Sequence, residues 1–258
     1  MEHANWAMRI FFIIVSFFVL WKVHQSKKGK PLFIRKISGL DAVDEAVGRA
    51  TEMGRPIMFN PGWDWLGIQL FCSLACLSYI TRKAAKVETK VIIPVVIPVA
   101  YPLCEEYWKD AYAMEGKQNL FNVEDCIRFL SSQQAAYAIS TTGWMEREKV
   151  AANFIFGYYG WESLLIAEGG QRAGAMQVAC VHSFYQVPFL VVSCDYTVFG
   201  EEFYAAGAYF GRDPVLVGGI VGQDYGKILL FIIIIAASIL AIYYGKFNPI
   251  YLFLNGNW

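Results

Sequence analysis

Two long apolar runs, one towards each end of the sequence, constrain this chain more than any other feature. The run Ile228–Tyr244 contains no charged residue, and Ile10–Trp21 reaches a similar length when its apolar flanks are included. A helix needs roughly 17–25 mostly apolar residues to cross a bilayer. Both runs therefore predict transmembrane helices, over residues 6–23 and 227–245.

The basic residues predict how these two helices are oriented. The linker 24–36 carries Lys27, Lys28, Lys30, Arg35 and Lys36, whereas only Arg9 precedes the first run. Because Lys and Arg favour the cytoplasmic side, we expect a two-pass inner-membrane protein whose middle region is cytoplasmic. Residues 1–5 and the aromatic tail 246–258 would then lie outside, and membrane lipid is an expected partner.

Residues 37–226 have the pattern of an α/β domain. A capping box at Ser38–Asp41 predicts a helix that ends at Gly54, and a short strand Pro56–Asn60 follows. A second helix is predicted from Asn122 to Leu130. Further strands are predicted at Val91–Ile97, Asn153–Phe156 and Val187–Cys194. Alternating strands and helices predict a Rossmann-like parallel sheet with helices on both faces.

Two internal apolar runs leave the number of transmembrane helices open. Leu66–Ile80 is short and carries polar residues, and Val91–Leu103 contains Pro94, Pro98 and Pro102. Prolines break a lipid-exposed helix because they lack the backbone donor. We interpret the two runs as a buried helix and a buried strand. The alternative is a four-span topology.

Two motifs recur in the same order along the middle region. Gly62-Trp63-Asp64 and Gly160-Trp161-Glu162 each follow a predicted strand. Farther along, Glu105-Glu106-Tyr107-Trp108 corresponds to Glu201-Glu202-Phe203-Tyr204. Recurrence of both motifs predicts a tandem duplicated βαβα unit with halves 40–112 and 137–212.

The recurring motifs also supply the candidate ligand-binding residues. Ligands of open α/β sheets bind beyond the carboxyl ends of the strands, where both motifs would lie. The candidates are Trp63, Asp64, Glu105, Glu106, Trp161, Glu162, Glu201 and Glu202. The competing interpretation is structural, since acids stabilise first helical turns and tryptophans anchor packing.

Other sequence signals limit the possible chemistry. The chain lacks G-x-x-x-x-G-K-[ST] and a G-x-G-x-x-G after a strand, and the glycine-rich stretch Glu168–Gly174 falls in a predicted helix, where it favours packing. The six cysteines form no C-x-x-C pair, which favours buried thiols over a metal site. His182 is the only histidine of residues 37–226, and it suggests no catalytic triad. We therefore expect no catalytic residues, metal or cofactor.

Charge and glycine content bear on the partners. The net charge is zero, which gives no basic field for nucleic acid. The glycines of Gly218–Gly222, ahead of the second apolar run, predict either a bend at the membrane surface or close helix packing between protomers.

Two stretches, Ile37–Pro56 and Gly200–Tyr209, resemble a prokaryotic family of integral membrane proteins known only as a domain of unknown function. The resemblance covers roughly residues 31–226 and the second apolar run. It implies a prokaryotic inner-membrane setting. It implies no activity and no site residue.

Three functions remain as hypotheses. The first is a non-enzymatic structural or assembly subunit whose α/β domain contacts other proteins, as a homo-oligomer or within a larger membrane complex. The second is an anchored sensor of a small ligand or nucleotide, which would use the motif residues. The third is a four-span transporter-like protein.

Overall fold

The computed structural model describes residues 6–29, 32, 37–63, 65–211 and 213–244. The chain divides into two compact units. An α/β unit comprises Lys36–Gly211, and a helical unit comprises Met1–Arg35 with Arg212–Trp258.

Helices and strands alternate along the described residues. The helices are α1 (Trp6–Lys27), α2 (Ser38–Met53), α3 (Ile68–Lys86), α4 (Ala100–Met114), α5 (Val123–Cys126), α6 (Gln134–Glu148), α7 (Glu162–Ala173), α8 (Val187–Ser193), α9 (Glu201–Gly211) and α10 (Pro214–Tyr244). The strands are β1 (Ile57–Asn60), β2 (Val91–Val95), β3 (Ile127–Phe129), β4 (Ala152–Gly157), β5 (Met176–Val181) and β6 (Tyr196–Phe199).

The six strands form one parallel sheet in the order β3-β2-β1-β4-β5-β6. This is the strand order of the Rossmann fold, with two βαβαβ halves that meet at β1 and β4. Right-handed crossovers place α3 and α4 on one face and α7 and α8 on the other. The predicted fold class is confirmed, and the strand order reverses between β1 and β4.

The two internal apolar runs belong to the core of the α/β unit. Helix α3 packs against α4 and α9 and buries, among others, Leu70, Leu74 and Leu77. All residues of β2 are buried, as expected for a central strand covered on both faces. The buried helix is therefore confirmed, whereas the second run is a strand only over Val91–Val95 and its end, from Ala100, belongs to α4.

Three local predictions were wrong. Residues 187–193 form helix α8, with a proline in its first turn, and the strands that follow β4 are β5 and β6. The helix predicted to reach Leu130 stops at Cys126, and Ile127 begins β3. The amino cap of α2 is Ile37, without a side-chain hydrogen bond, although the carboxyl cap is Gly54 in the left-handed conformation as predicted.

Two antiparallel helices, α1 and α10, form the helical unit. A Cβ on Gly218 would lie 2.5 Å from Val23 Cα, and one on Gly222 would lie 2.5 Å from Val19 Cα. Glycine at these positions lets the two backbones approach closely. The structure therefore assigns these glycines to packing within one chain.

Both helices of this unit are long and apolar enough to span a membrane. The qualifying segments are Met8–Lys27 and Pro214–Ile242. Helix α10 begins at Pro214, so it extends the predicted segment 227–245 at its amino end. The aromatic tail 246–258 lies outside the described residues.

Candidate functional site

The candidate site lies at the carboxyl edge of the sheet, where the loops after β1 and β4 adjoin. Strand-order reversal opens a crevice at this point in Rossmann-like folds. Trp63 lies in the loop after β1, and Trp161 and Glu162 lie where the loop after β4 leads into α7. Asp64, the acid of the first motif, lies outside the described residues.

The backbones of these two loops are in close contact. Gly62 has φ +90°, and a Cβ there would lie 2.9 Å from Tyr158 N. Gly157 has φ +110°, and its Cβ would lie 2.5 Å from Pro61 O. The backbone N–H of Trp63 donates to the Tyr158 carbonyl at 2.8 Å. The loops after β1 and β4 are thus interlocked through their backbones.

The hydroxyl groups of two buried tyrosines donate hydrogen bonds to backbone carbonyls near these loops. The Tyr159 hydroxyl donates to the Asn60 carbonyl at 2.8 Å, and the Tyr137 hydroxyl donates to the Pro94 carbonyl at 3.2 Å. Trp63 packs edge-on against Tyr137, with 6.1 Å between ring centroids. Burial raises the pKa of Tyr137 far above its usual value, so the phenol stays protonated.

Glu162 is a fully buried carboxylate at the start of α7. Its Oε1 accepts a hydrogen bond from the Gly160 backbone N–H at 2.6 Å, which closes the turn into the helix. The neighbouring Trp161 is half exposed and donates from Nε1 to Gln134 Oε1 at 3.2 Å. The second Gly-Trp-acid motif therefore forms a helix start whose acidic side chain is buried.

The acid pairs lie on two different helices that both pack against α3. Glu105 is in the second turn of α4 and forms an ion pair with Lys109 at 2.5 Å, and Glu106 is exposed beside it. Glu201 and Glu202 form the first turn of α9, which follows β6. Within the described residues, no group of three or more His, Cys, Asp or Glu side chains could hold a metal ion.

A ladder of buried amides crosses the middle of the sheet and was not anticipated. Asn60 Nδ2 donates to Asn153 Oδ1 at 2.8 Å, and Asn153 Nδ2 donates to Gln177 Oε1 at 2.9 Å. Gln177 Nε2 continues to the carbonyls of Ala167 and Ser193, each at 2.8 Å. Gly170 leaves room for this ladder, because a Cβ there would lie 2.1 Å from Gln177 Oε1. In the sequence, the feature that indicates this ladder is one amide side chain in each of three otherwise apolar strands.

His182 also joins the carboxyl edge. Its ring lies among Tyr158, Phe203 and Tyr204, at centroid distances of 5.8, 5.7 and 6.0 Å. Partial burial lowers the pKa of His182, because desolvation penalises the imidazolium. The histidine is therefore neutral at pH 7 and packs as an aromatic ring.

Large apolar side chains are exposed around this edge. Trp65 is 68% exposed, Trp161 51%, Phe184 73% and Tyr185 83%. The loops at residues 61–67, 96–99, 158–161 and 182–186 contain no Lys or Arg. We call these four loops the aromatic edge.

The cysteines are free thiols, and all but the half-buried Cys194 are buried. Burial raises the pKa of Cys104 to about 12, which keeps this thiol protonated and unreactive. The prediction of buried structural thiols is confirmed for these residues.

A family model described as a domain of unknown function, DUF6754, matches residues 1–250. The searches of curated proteins and of solved structures each returned no match.

Proposed function

We propose, from the premise that the chain belongs to the DUF6754 family, that it is a membrane-anchored assembly subunit. Its α/β unit would bind other proteins, including copies of itself, within a complex of a prokaryotic inner membrane. The two long apolar helices of the helical unit would serve as the anchor.

The aromatic edge is the observation that carries this proposal. Soluble surfaces rarely expose several large apolar side chains together unless they bind something, and aromatic residues are enriched in protein interfaces. The lack of a G-x-G-x-x-G motif after a strand argues against nucleotide binding in the Rossmann manner. The lack of Lys and Arg in these loops removes the contacts that nucleic acid requires.

A complex should therefore survive gentle extraction and depend on the aromatic edge. We expect native mass spectrometry of the detergent-extracted full chain to show bound partners or additional copies. Phe184→Ser with Tyr185→Ser should release them. The matched control is Met114→Ser at the end of α4, which removes an equally exposed apolar side chain elsewhere. A wild-type chain that is always a lone monomer would contradict the proposal.

We further propose that the α/β unit faces the cytoplasm. The basic residues Lys27 and Lys28, at the end of α1, support this orientation. A Ser132→Cys variant in a Cys194→Ser background would place one exposed thiol on the α/β unit, since the other cysteines are buried. A membrane-permeant maleimide should label it in intact cells, and an impermeant maleimide should not. Labelling by the impermeant reagent would reverse the orientation.

A further inference from the structure

The glycines of α10 show which residues of α1 and α10 lie at the same level. A Cβ on Gly222 would lie 2.5 Å from Val19 Cα, and one on Gly226 would lie 3.3 Å from Val15 Cγ1. Because the two helices are antiparallel, each step forward along α10 matches one step back along α1. The α10 residues between these glycines and just beyond them therefore lie beside the middle of the apolar run Ile10–Trp21.

The two charged residues of α10 lie at this level. Asp224 stands between the two glycines and Lys227 directly follows Gly226, and the rest of the α10 sequence carries no charge. Their side chains are 57% and 42% exposed and form an ion pair, with 3.3 Å between Lys227 Nζ and Asp224 Oδ1. Exposed side chains of α1 at the same level, such as Phe17, are apolar. If both helices span the bilayer, this ion pair lies among lipid-facing apolar side chains, where charged groups are costly.

A position in the headgroup layer would relieve the ion pair only by exposing α1. Leu20, whose residue is 68% exposed, would then lie beyond the headgroups in water. The cation of Lys22 on the same helix is handled differently, because this residue is only 8% exposed and its Nζ lies 4.3 Å from the centroid of the Tyr225 ring. The helix pair thus shields Lys22 and presents the ion pair of α10 outwards.

The ion pair belongs to a stripe on the face of α10 opposite the glycines. Residues that alternate four and three apart share one face of a helix. The stripe consists of Ile220, Asp224, Lys227, Phe231 and Ile234. Phe231 and Ile234 are 65% and 55% exposed, so the stripe is also open beyond the ion pair. This spacing is that of the apolar seam between paired helices, in which a polar residue fixes the register and the number of helices.

We propose that this stripe of α10 contacts the same stripe of a second copy, in a parallel helix dimer that encloses the ion pairs. Copies inserted in the same orientation are related by a two-fold axis along the membrane normal, which brings identical faces together. The inference rests on the proposed membrane anchorage and names a contact for the copies of the assembly. It does not depend on the aromatic edge.

Charge complementarity identifies a second copy as the occupant. Asp224 and Lys227 are three residues apart, which is about 4.5 Å along the helix axis. The flexible stem of a lysine can bridge this difference in height. Lys227 of each copy can therefore donate to Asp224 of the other copy, and both charges are then shielded from lipid. A lipid-facing stripe without a partner would leave both charges in hydrocarbon.

Disulfide trapping in native membranes tests the contact. Phe231→Cys in a Cys194→Ser background places one accessible thiol on the stripe, since the other cysteines are buried. Ile13→Cys in the same background is the matched control, because Ile13 is also 65% exposed but lies on α1. With copper phenanthroline as oxidant we expect at least about fivefold more covalent dimer from Phe231→Cys, because facing residues of a two-fold contact meet their own copies. Equal trapping by both variants, or none by either, would overturn the proposal.

Exchange of charge between chains tests the role of the ion pair. Asp224→Lys leaves two cations in the stripe, and Lys227→Asp leaves two acids, so each variant alone should dimerise at least about tenfold more weakly because like charges then face each other. Co-expressed with different tags, the two variants should form the mixed dimer in about threefold excess over both homodimers together, whereas random pairing gives equal amounts. Random pairing would overturn the proposal, since an ion pair confined to one chain is broken in both variants.

Two further measurements separate this inference from the function proposed above. A chain that resists alkaline carbonate extraction but gives no trapped dimer contradicts the helix dimer and leaves the anchor in place. A chain that carbonate removes from the membrane contradicts both. Phe184→Ser with Tyr185→Ser changes only the aromatic edge and should leave trapping through Phe231→Cys unchanged. Loss of trapping in that variant would place the contact at the aromatic edge and overturn the proposal.

Discussion

The two edges of the parallel sheet are built on different principles. At the amino edge, partly exposed charges pair across loops, as in Lys90–Glu148 at 3.3 Å and Arg82–Glu115 at 2.8 Å. At the carboxyl edge, backbone presses on backbone at Gly62 and Gly157, and the exposed side chains are aromatic. Exposed ion pairs contribute little to stability, whereas a sterically closed junction tolerates almost no change.

This contrast indicates which edge of the sheet should accept substitutions with little loss of stability. The amino edge is solvated, so we expect it to accommodate substitutions. The carboxyl edge combines a rigid interior with an apolar rim, which suits a surface that presents a fixed shape to a partner. Substitutions of equal chemistry at the two edges should therefore have unequal effects.

The largest difference is expected between two glycines of positive φ. Gly157→Ala would place a Cβ 2.5 Å from the Pro61 carbonyl oxygen, so strain and overpacking should cost about 3 kcal/mol of unfolding free energy. Gly174→Ala at the amino edge meets nothing within 4 Å and should cost roughly 1 kcal/mol, from its left-handed backbone alone. Denaturant unfolding of both variants measures the difference. Equal costs would mean that the carboxyl loops are not interlocked.

A smaller effect is expected where the amide ladder links the strands between the two edges. Asn153→Ala leaves Gln177 Oε1 buried without its donor and should cost about 2 kcal/mol. Asn122→Ala is the matched control, since its amide only caps the short helix α5 at the surface, and should cost about 1 kcal/mol or less. Denaturant midpoints give both values. If Asn122→Ala cost more stability than Asn153→Ala, the amide ladder would be dispensable.

The ladder also shows why the sequence predicted one half of the sheet better than the other. Strands β1 and β4 were predicted because each is a short apolar run bounded by turn residues. Strand β5 was missed because Gln177 interrupts its apolar pattern, and that amide is satisfied only by residues from β4, α7 and α8. The uncharged sequence of α8 resembles that of a buried strand more closely than the sequence of β5 does.

The same error limited what could be predicted of the site. The two Gly-Trp-acid steps were placed correctly relative to β1 and β4, because a turn directly after a strand is a local signal. The acid pairs were matched through the wrong strand, and they lie after β2 and after β6. That Glu162 is buried could not be predicted, since it lies beside Gln134, a residue of α6 that is distant in sequence.

The ion pair between Lys90 and Glu148 should contribute less than either the Gly157 junction or the amide ladder. Both side chains are partly exposed, so solvent screens the interaction. A double-mutant cycle with Lys90→Met and Glu148→Gln should give a coupling energy below about 1 kcal/mol. A larger coupling would show that the amino edge also stabilises the fold through specific contacts.

The smallest effect is the response of the carboxyl edge to acid. The pKa of His182 is lower in the folded chain than its ordinary 6.5, because partial burial disfavours the imidazolium. As the pH falls below about 6.5 the unfolded chain binds the proton first, so stability is full above that pH and declines below it. We expect the melting temperature to fall slightly more between pH 7.5 and 5.5 in the wild type than in His182→Phe, which keeps a ring among Tyr158, Phe203 and Tyr204. Identical pH profiles would show that His182 is as well solvated folded as unfolded, and that the aromatic edge is open to water at this point.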